Sequence, residues 1–214
     1  MGTVKGTALL DGTTYIARHG ETVFNAARRI QGATEHTPFT RRGFAQIDAM
    51  GRDLAARVRA VGAPLRLIAS PTQRTRQTIA IIAEHLGRDY AEVEYDARLL
   101  EIGMGGWDGE RYADIVAREG PIYSERHAAF VRVAPGGESY ADVGARLAHW
   151  VAEEKERAGD RLVVTHGVTA AVLRALLTGE GRAHPVCGTA IADVVPQGSY
   201  VAIRDGRETV YLVP

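Results

Sequence analysis

The segment TTYIARHGET, residues 13–22, joins a short apolar run to an abrupt group of charged and small residues. Thr13 to Ala17 has the composition of a strand that is buried on both faces. Leu65 to Ala69 and Arg161 to Thr165 repeat this pattern, and Val93 to Tyr95 is a weaker example. Because segments of helical periodicity separate the runs, the sequence predicts a three-layer α/β/α fold with a central, mostly parallel sheet.

Cap residues predict where the helices between and after these strands begin and end. Thr40 is a suitable N-cap for the first long helix, and Gly62 lies just past its end. Ser70 is predicted to cap the next helix, as part of a capping box. Ser139 and Gly167 are predicted to open two later helices.

The remaining segments predict a terminal hairpin and an insertion. Ala190 to Val195, Tyr200 to Arg204 and Thr209 to Val213 have strand character and are separated by turn signals, so we expect them to form a hairpin or meander on the sheet. The stretch from about 102 to 137 is rich in glycine, aromatic and charged residues. We expect residues 1–214 to form one domain in which residues 102–137 are an insertion over one edge of the sheet, and insertions of this kind commonly carry loops that face a ligand.

The charge balance restricts the classes of partner. The chain has 26 Lys and Arg against 26 Asp and Glu, so its formal net charge is zero. A neutral chain lacks the basic field that drives binding to nucleic acid or anionic lipid, so neither is expected as a partner. Lys5 and Lys155 are its only lysines, and neither lies in the Gly-Lys-Ser/Thr step of a P-loop.

The sequence also indicates a compartment. Cys187 is the only cysteine and cannot form an intrachain disulfide, which is typical of a reducing environment. The apolar stretch Ala8-Leu9-Leu10 is shorter than the core of a secretory leader, and no run reaches the about 18 apolar residues of a membrane span. We therefore expect a cytoplasmic protein.

Basic and imidazole side chains follow three of the predicted strands. Arg18 and His19 follow the first strand, Arg74 lies in the first turn of the helix after the second, and His166 follows the late strand. Ligands of open α/β sheets bind at the carboxyl ends of the strands. Guanidinium forks and helix N-termini both favour anions, so the pattern predicts a site for a phosphoryl group.

The histidines suggest the reaction at such a site. His19 in its neutral form is a competent nucleophile toward phosphorus and would form a phosphohistidine. His166 would stabilise charge on the equatorial oxygens. Glu101, which ends the weaker strand region, is the candidate general acid for the leaving alkoxide.

No metal and no cofactor are expected. His184 and Cys187 are three residues apart, but no second pair completes a zinc site. The nearby glycines of residues 103–106 neither follow a clear strand nor open a long helix, so they do not form a dinucleotide fingerprint.

Five blocks of the sequence, in order, resemble the histidine phosphatase superfamily, also called phosphoglycerate mutase-like. They are Arg18-His19-Gly20-Glu21-Thr22-Val23-Phe24-Asn25, Gln31-Gly32 with Pro38-Phe39-Thr40-Arg41-Arg42-Gly43, Ser70-Pro71-Thr72-Gln73-Arg74, Leu100-Glu101 with Gly105-Gly106-Trp107-Asp108-Gly109, and Val164-Thr165-His166-Gly167. The resemblance implies that family's fold, a phosphohistidine at His19, a pocket of Arg18, Arg74 and His166, and Glu101 as a proton donor that later activates water. It also implies substrate-binding roles for Asn25, Thr22, Gln31 and Gly32.

Within this resemblance the phosphatase branch is favoured. Mutase members typically carry an Asn-Glu-Arg-His run around the acid, whereas Glu101 here is followed by Ile102 and Gly103, and the segment 135–139 is similar to the phosphatase branch. We expect hydrolysis of a small phosphomonoester. A 2,3-bisphosphoglycerate-dependent phosphoglycerate mutase, a protein phosphatase and a non-catalytic phospholigand or protein-binding module are the alternatives.

Two questions stay open at the level of sequence. The resemblance allows a monomer, a homodimer or a tetramer. The residues Tyr112, Tyr123, Arg126 and His127 of the insertion are equally compatible with a pocket wall and with a solvent-exposed surface, so the sequence does not identify the substrate.

Overall fold

The computed structural model describes residues 9–62 and 64–213. The expectation that no leader precedes the domain concerns residues 1–8 above all, and these lie outside the described residues. Among the helices in the described ranges, none is both long enough and apolar enough to cross a bilayer.

The described residues form a chain of alternating strands and helices. The strands are β1 Thr14–Arg18, β2 Leu65–Ala69, β3 Glu94–Tyr95, β4 Tyr123–Ser124, β5 Ala129–Phe130, β6 Asp160–Thr165, β7 Arg182–Ala183, β8 Ala190–Ile191, β9 Tyr200–Arg204 and β10 Arg207–Tyr211. The α-helices are α1 Val23–Ala26, α2 Arg41–Val61, α3 Gln73–Leu86, α4 Tyr112–Glu119, α5 Tyr140–Glu154 and α6 Gly167–Thr178. Short 3₁₀ turns cover Tyr90–Glu92, Ala97–Leu99 and Gly105–Trp107.

The central sheet has the strand order β10-β9-β1-β6-β2-β3. The four strands β1, β6, β2 and β3 are parallel, whereas β9 and β10 are antiparallel to their neighbours. The sheet is therefore mostly parallel, as the sequence predicted. Because β6 lies between β1 and β2, the carboxyl ends of these three strands meet at one edge.

Successive side chains of a strand point to opposite faces of the sheet, and each face of this sheet carries a hydrophobic core. On one face, Tyr15 and Leu162 pack with residues of α2 and α3 such as Ile47 and Ile79. On the other face, Ile16 packs with residues of α5 and α6. Helices therefore cover both faces, and the predicted three-layer arrangement is confirmed.

Three of the four predicted helix starts are correct. Thr40 caps α2 by accepting from the Gly43 N–H, and Gly62 ends that helix in the left-handed region with φ of 70°. Ser139 forms a capping box at α5, and Gly167 opens α6. The prediction for Ser70 is wrong because α3 begins at Gln73 after Thr72. The Ser70 hydroxyl instead lies within hydrogen-bond distance of the His166 ring, 96 residues away in the sequence.

The terminal segment agrees with the prediction in part. β9 and β10 form the expected antiparallel hairpin at the edge of the central sheet. The predicted strand from Ala190 to Val195 is wrong over most of its length, since only Ala190–Ile191 is a strand, and it pairs with β7 outside the central sheet. The strand β8 ends there, because the next residue, Ala192, donates its backbone N–H to Ala171 O of α6 instead of pairing with β7.

Residues 102–137 hold α4 and the small β4-β5 hairpin. The aromatic rings of Tyr123 and Phe130 meet edge to face across this hairpin, with centroids 5.3 Å apart. Both side chains also line the cavity described below. That residues 1–214 make up one domain stays a prediction.

Candidate active site

The adjacency of β1, β6 and β2 brings the residues that follow them together. Arg18 lies opposite Thr165 in the β1-β6 register, so His19 and His166 leave the sheet side by side. Their rings meet edge to face, with centroids 5.4 Å apart and an interplanar angle of 64°. Ser70, which follows β2, is within hydrogen-bond distance of the His166 ring. The sequence prediction that these strand ends converge is confirmed.

The His19 ring is held in one tautomer. Its Nδ1 is 2.7 Å from the carbonyl oxygen of Gly20, so Nδ1 carries the proton and donates it. The Nε2 lone pair is then unprotonated. Burial, reinforced by the positive charges of Arg74 and Arg18, holds the pKa of His19 well below its ordinary value. His19 therefore lines the cavity as a neutral imidazole with a basic Nε2.

The His166 ring is also neutral. Its Nδ1 accepts from Arg74 Nε at 3.1 Å, which leaves Nε2–H to donate to Ser70 Oγ at 2.8 Å. Burial is the largest cause that lowers its pKa, followed by the charge of Arg74. His166 is completely buried, and the cavity lining includes the neighbouring Gly167 rather than the imidazole itself.

Arg74 is fixed by acceptors of the protein. It donates from Nη2 to Gly32 O at 2.7 Å and from Nη1 to Thr34 O. With its amide oxygen toward Arg74, Gln31 accepts from Nη1 at 3.1 Å and shares the single Nε–H, at 2.6 Å, with His166 Nδ1. Burial lowers the pKa of Arg74 to about 10, so the guanidinium stays charged at neutral pH.

Arg18 carries a buried donor without an acceptor. Its Nη1 donates to Val195 O at 2.8 Å, but its Nε–H is buried and has no hydrogen-bond partner among residues 9–62 and 64–213. Burial is also the main cause that lowers the pKa of Arg18. Within the described part of the chain, no carboxylate lies within ion-pair distance of Arg18 or Arg74. Two guanidinium charges thus border the cavity without a salt-bridge partner in the described residues, although the charge of Glu101 partly offsets the lowering of both pKa values by burial.

The Glu101 carboxylate rests on the N-terminus of α6. Its Oε2 accepts from Val168 N at 3.1 Å, and its Oε1 accepts from Thr169 N at 3.0 Å. These are backbone donors that the first turn of a helix leaves unsatisfied. Glu101 lines the cavity together with His19, so the two residues border the same space.

Thr22 lies behind the cavity. It is completely buried and caps α1, and its hydroxyl donates to Asn25 Oδ1 at 2.9 Å. In the amide orientation given above, Gln31 donates to the Thr22 hydroxyl at 2.5 Å. A hydrogen-bond chain therefore runs from Asn25 through Thr22 and Gln31 to Arg74.

The cavity encloses about 280 Å³. Seven of the nine predicted site residues line it, namely Arg18, His19, Asn25, Gln31, Gly32, Arg74 and Glu101. His166 and Thr22 do not, because both are buried behind the lining.

Apolar residues from distant segments complete the lining, and sequence reasoning missed most of them. They include Phe130, Tyr140, Val168 and Ile191. Among the four insertion residues left open above, Tyr123 lines the cavity, Tyr112 borders a neighbouring open cleft, His127 hydrogen-bonds Ser124 Oγ, and Arg126 is exposed. The sequence signal that pointed toward part of this wall was the expected insertion at residues 102–137, which includes Tyr123 and Phe130.

No group of three or more His, Cys, Asp or Glu side chains is placed to hold a metal ion within the ranges that the structure describes. Independence from metal stays a prediction.

A model of the histidine phosphatase superfamily, branch 1, matches residues 14–191. Among curated proteins, the probable phosphoglycerate mutase GpmB of Citrobacter koseri is 32% identical over 169 residues, which cover 77% of this chain and 74% of that protein. The protein of the same name from Enterobacter sp. is 35% identical with the same coverage.

Solved structures include phosphatases. A mycobacterial glucosyl-3-phosphoglycerate phosphatase in complex with VO3 has a TM-score of 0.71 and 26% identity, over 94% of this chain and 98% of that chain. An alpha-ribazole phosphatase from Shigella flexneri has a TM-score of 0.69 over 94% of this chain and 95% of that chain, and its 21% identity shows a shared fold alone.

Proposed function

The chain belongs to the histidine phosphatase superfamily, and from this membership we propose that it hydrolyses a small phosphomonoester without a metal ion, through a phosphohistidine at His19. The observation that carries the proposal is the neutral His19 imidazole, whose tautomer leaves Nε2 basic, beside two guanidinium groups without carboxylate partners. The family and the phosphatases of similar fold support a phosphatase-type enzyme.

The phosphoryl group would bind between Arg18 and Arg74. A phosphate oxygen would satisfy the orphaned Arg18 Nε–H, which otherwise costs free energy as a buried donor. Arg74 is already fixed by Gly32 O and Thr34 O, so it would meet the phosphate with little further ordering. Asn25 uses its Oδ1 for Thr22, which leaves its amide N–H groups for the substrate.

The first chemical step would form the phosphoenzyme. The Nε2 lone pair of His19 attacks phosphorus in line, a phosphorus–nitrogen bond forms, and the phosphorus–oxygen bond to the leaving group breaks. Glu101 would enter this step as the protonated acid, with its proton on Oε2, which accepts one backbone N–H against two at Oε1, and it gives that proton to the departing alkoxide. The two guanidinium groups stabilise charge on the equatorial oxygens, and His166 orients Arg74 through its Nδ1.

The second step would release phosphate. Water replaces the departed alcohol and gives a proton to the Glu101 carboxylate as its oxygen attacks phosphorus. The phosphorus–nitrogen bond breaks and its electron pair returns to Nε2 of His19. Inorganic phosphate leaves, and both residues are back in their starting states.

A phosphoglycerate mutase is the second candidate because the curated relatives carry that name. A mutase must return the phosphoryl group to a bound acid before water reaches the phosphohistidine. The free thiol of Cys187 supports a cytoplasmic location for either activity.

An assay with chelator present tests the proposal. Phosphate release is followed from a panel of phosphomonoesters that includes 3-phosphoglycerate, with His19→Ala as the inactive variant and His149→Ala, an exposed histidine outside the cavity, as the matched control. We expect release by the native protein and by His149→Ala and none by His19→Ala. Isomerisation of 3-phosphoglycerate with little free phosphate would identify a mutase. Release that His19→Ala retains, or that requires an added metal, would contradict the proposal.

A further inference from the structure

The cavity has two chemically different ends. Its charged side chains, within the described part of the chain, are Arg18, Arg29, Arg74 and Glu101. Three of them form the phosphoryl site described above, and Arg29 borders both this cavity and the neighbouring open cleft. The rest of the wall is mainly apolar and includes Ile102, Met104, Phe130, Tyr140, Val168 and Ile191.

This apolar wall is fixed in place before any ligand binds. Phe130 N donates to the Tyr140 hydroxyl at 3.3 Å, and Phe130 O accepts from His184 Nε2 at 2.8 Å. The Tyr140 and His184 rings are stacked, with centroids 4.3 Å apart. The backbone of Phe130 is thus bonded on both sides to a stacked aromatic pair, which makes the wall a preformed surface rather than a mobile one.

The wall offers little to a polar or acidic leaving group. Within the described residues, a second acid group such as a carboxylate would have Arg29 as the one further cation of the lining, and Arg29 shares its donors with Gly109 O, to which its Nη1 donates at 2.6 Å. A polyol would lose its hydrating water molecules on binding and would not find enough hydrogen-bond partners along the wall. Each hydroxyl left without a partner costs free energy. An apolar group loses no hydrogen bonds there and gains from burial.

The volume indicates the size of the group that the wall itself can cover. At about 30 Å³ for each water-sized unit, 280 Å³ holds roughly nine such units. The phosphoryl group takes up about half of them. The remaining space along the wall corresponds to one ring or a branched chain of similar size, and a longer group would extend into the neighbouring open cleft.

We propose that the substrate is the phosphomonoester of an apolar alcohol with a single ring or a comparable alkyl group, seated against the Phe130–Tyr140–Ile191 wall. This inference rests on the proposed phosphatase function and names the substrate class of that same site. It separates the chain from enzymes whose substrates carry a carboxylate or several hydroxyl groups.

The test compares cyclohexylmethyl phosphate with glycerol 3-phosphate. Both release a primary alkoxide, and the hydroxyl groups of glycerol make it the better leaving group. A preference for cyclohexylmethyl phosphate therefore reports the group against the wall and not the chemical step. Each buried methylene is expected to raise kcat/KM about fourfold, and cyclohexylmethyl phosphate buries roughly three to four more carbons than glycerol 3-phosphate does. The kcat/KM is therefore expected to favour cyclohexylmethyl phosphate by about 100-fold. Phe130→Ala and Val194→Gln are expected to reduce this ratio about tenfold, because Phe130 and Val194, a further apolar residue of the lining, both border the cavity. Val210→Gln is the matched control on the edge strand β10, where a valine of similar exposure lies away from the cavity, and it is expected to keep the native ratio.

Two results would overturn the inference, and they are distinguishable. His19-dependent turnover of glycerol 3-phosphate at an equal or higher kcat/KM would reject the apolar substrate class while the phosphatase function stands. The same holds if the ratio is unchanged in both wall variants. The panel also contains acetyl phosphate, whose small acyl group needs no contact with the wall. If no compound of this panel gives His19-dependent release of phosphate, the phosphatase function is rejected together with the inference.

Discussion

Replacement of Thr22 by valine tests whether the hydrogen-bond chain behind the cavity stabilises the protein. The Thr22 hydroxyl is fully buried, donates to Asn25 Oδ1, accepts from the Gln31 amide and caps α1. Loss of an N-cap costs about 1 kcal/mol, and an unsatisfied buried donor costs about 1–3 kcal/mol. Because valine keeps the shape and removes the hydroxyl, we expect Thr22→Val to lower the free energy of unfolding by about 2–4 kcal/mol.

Urea denaturation monitored by circular dichroism measures this change directly, and a thermal scan should show Tm lowered by roughly 5–12 °C for a chain of this length. Thr22→Ser keeps the hydroxyl and should stay within about 1 kcal/mol of the native protein. Thr209→Val, on the exposed edge of β10, should change stability by less than about 0.5 kcal/mol. Phosphatase activity of Thr22→Val at a temperature where it is folded should fall about tenfold, since Asn25 and Gln31 lose their anchor. A Thr22→Val protein as stable as the native one would refute the proposed network.

The remaining predictions concern protonation and packing. Glu101→Gln should slow release of an alkyl leaving group by about 10²–10⁴-fold and release of nitrophenolate by less than about tenfold, and equal slowing in steady-state assays would count against Glu101 as the acid. Because burial lowers the pKa of His19, the acidic limb of the kcat/KM profile should lie below pH 6.5, and a limb above pH 7 would contradict a neutral nucleophile. Burial lowers the pKa of His19 and His166, so below about pH 6.5 the unfolded chain binds more protons at these residues than the native state does. The free energy of unfolding should therefore fall by about 1.4 kcal/mol per pH unit for each histidine as the pH drops below about 6.5. In urea titrations at several pH values, His19→Asn should show a weaker dependence of the free energy of unfolding on pH. Gly43→Ala should lower stability by more than about 2 kcal/mol, because its Cβ would lie 2.0 Å from a backbone oxygen, whereas Gly144→Ala meets only a methyl group at 3.2 Å and should be neutral or stabilising in urea denaturation.

The position of the site could be predicted because it depends on strand order alone. Once β1, β6 and β2 are recognised as parallel strands, the residues that follow them must share an edge, and His19, His166 and Ser70 do. Glu101 was also placed correctly on the cavity, since it follows the next strand region along the sheet. The chemical roles of these residues stay predictions.

The direction of individual side chains could not be predicted. Thr22 was grouped with substrate-binding residues through its neighbours in the chain, yet its hydroxyl faces the protein interior and joins Asn25 to Gln31. Ser70 has the sequence context of a helix cap, but a bond to His166, 96 residues away, takes its hydroxyl. For Ser70 a long-range partner outcompetes the local pattern, whereas Thr22 keeps its local cap and adds the contact with Gln31. The local pattern carries no information about which side of the site a hydroxyl faces.

The apolar wall was missed for a related reason. Phe130, Tyr140, Val168 and Ile191 come from four separate segments, and each looks like an ordinary core residue in its own context. Only the folded chain shows that the hairpin, two helices and a short strand meet beside the proposed phosphoryl site. The proposed substrate preference therefore depends on tertiary contacts, whereas the proposed reaction type depends on short motifs.

Direct detection of the phosphoenzyme tests whether His19 is the nucleophile. The native protein and His19→Asn are mixed with a phosphomonoester in the presence of chelator, quenched within the first turnovers and digested for mass spectrometry under alkaline conditions that preserve phosphohistidine. We expect one phosphoryl group on the peptide that contains His19, at a level that falls as substrate is exhausted, and no phosphopeptide from His19→Asn. Steady turnover with no phosphorylated peptide, or with the phosphoryl group on another residue, would contradict it.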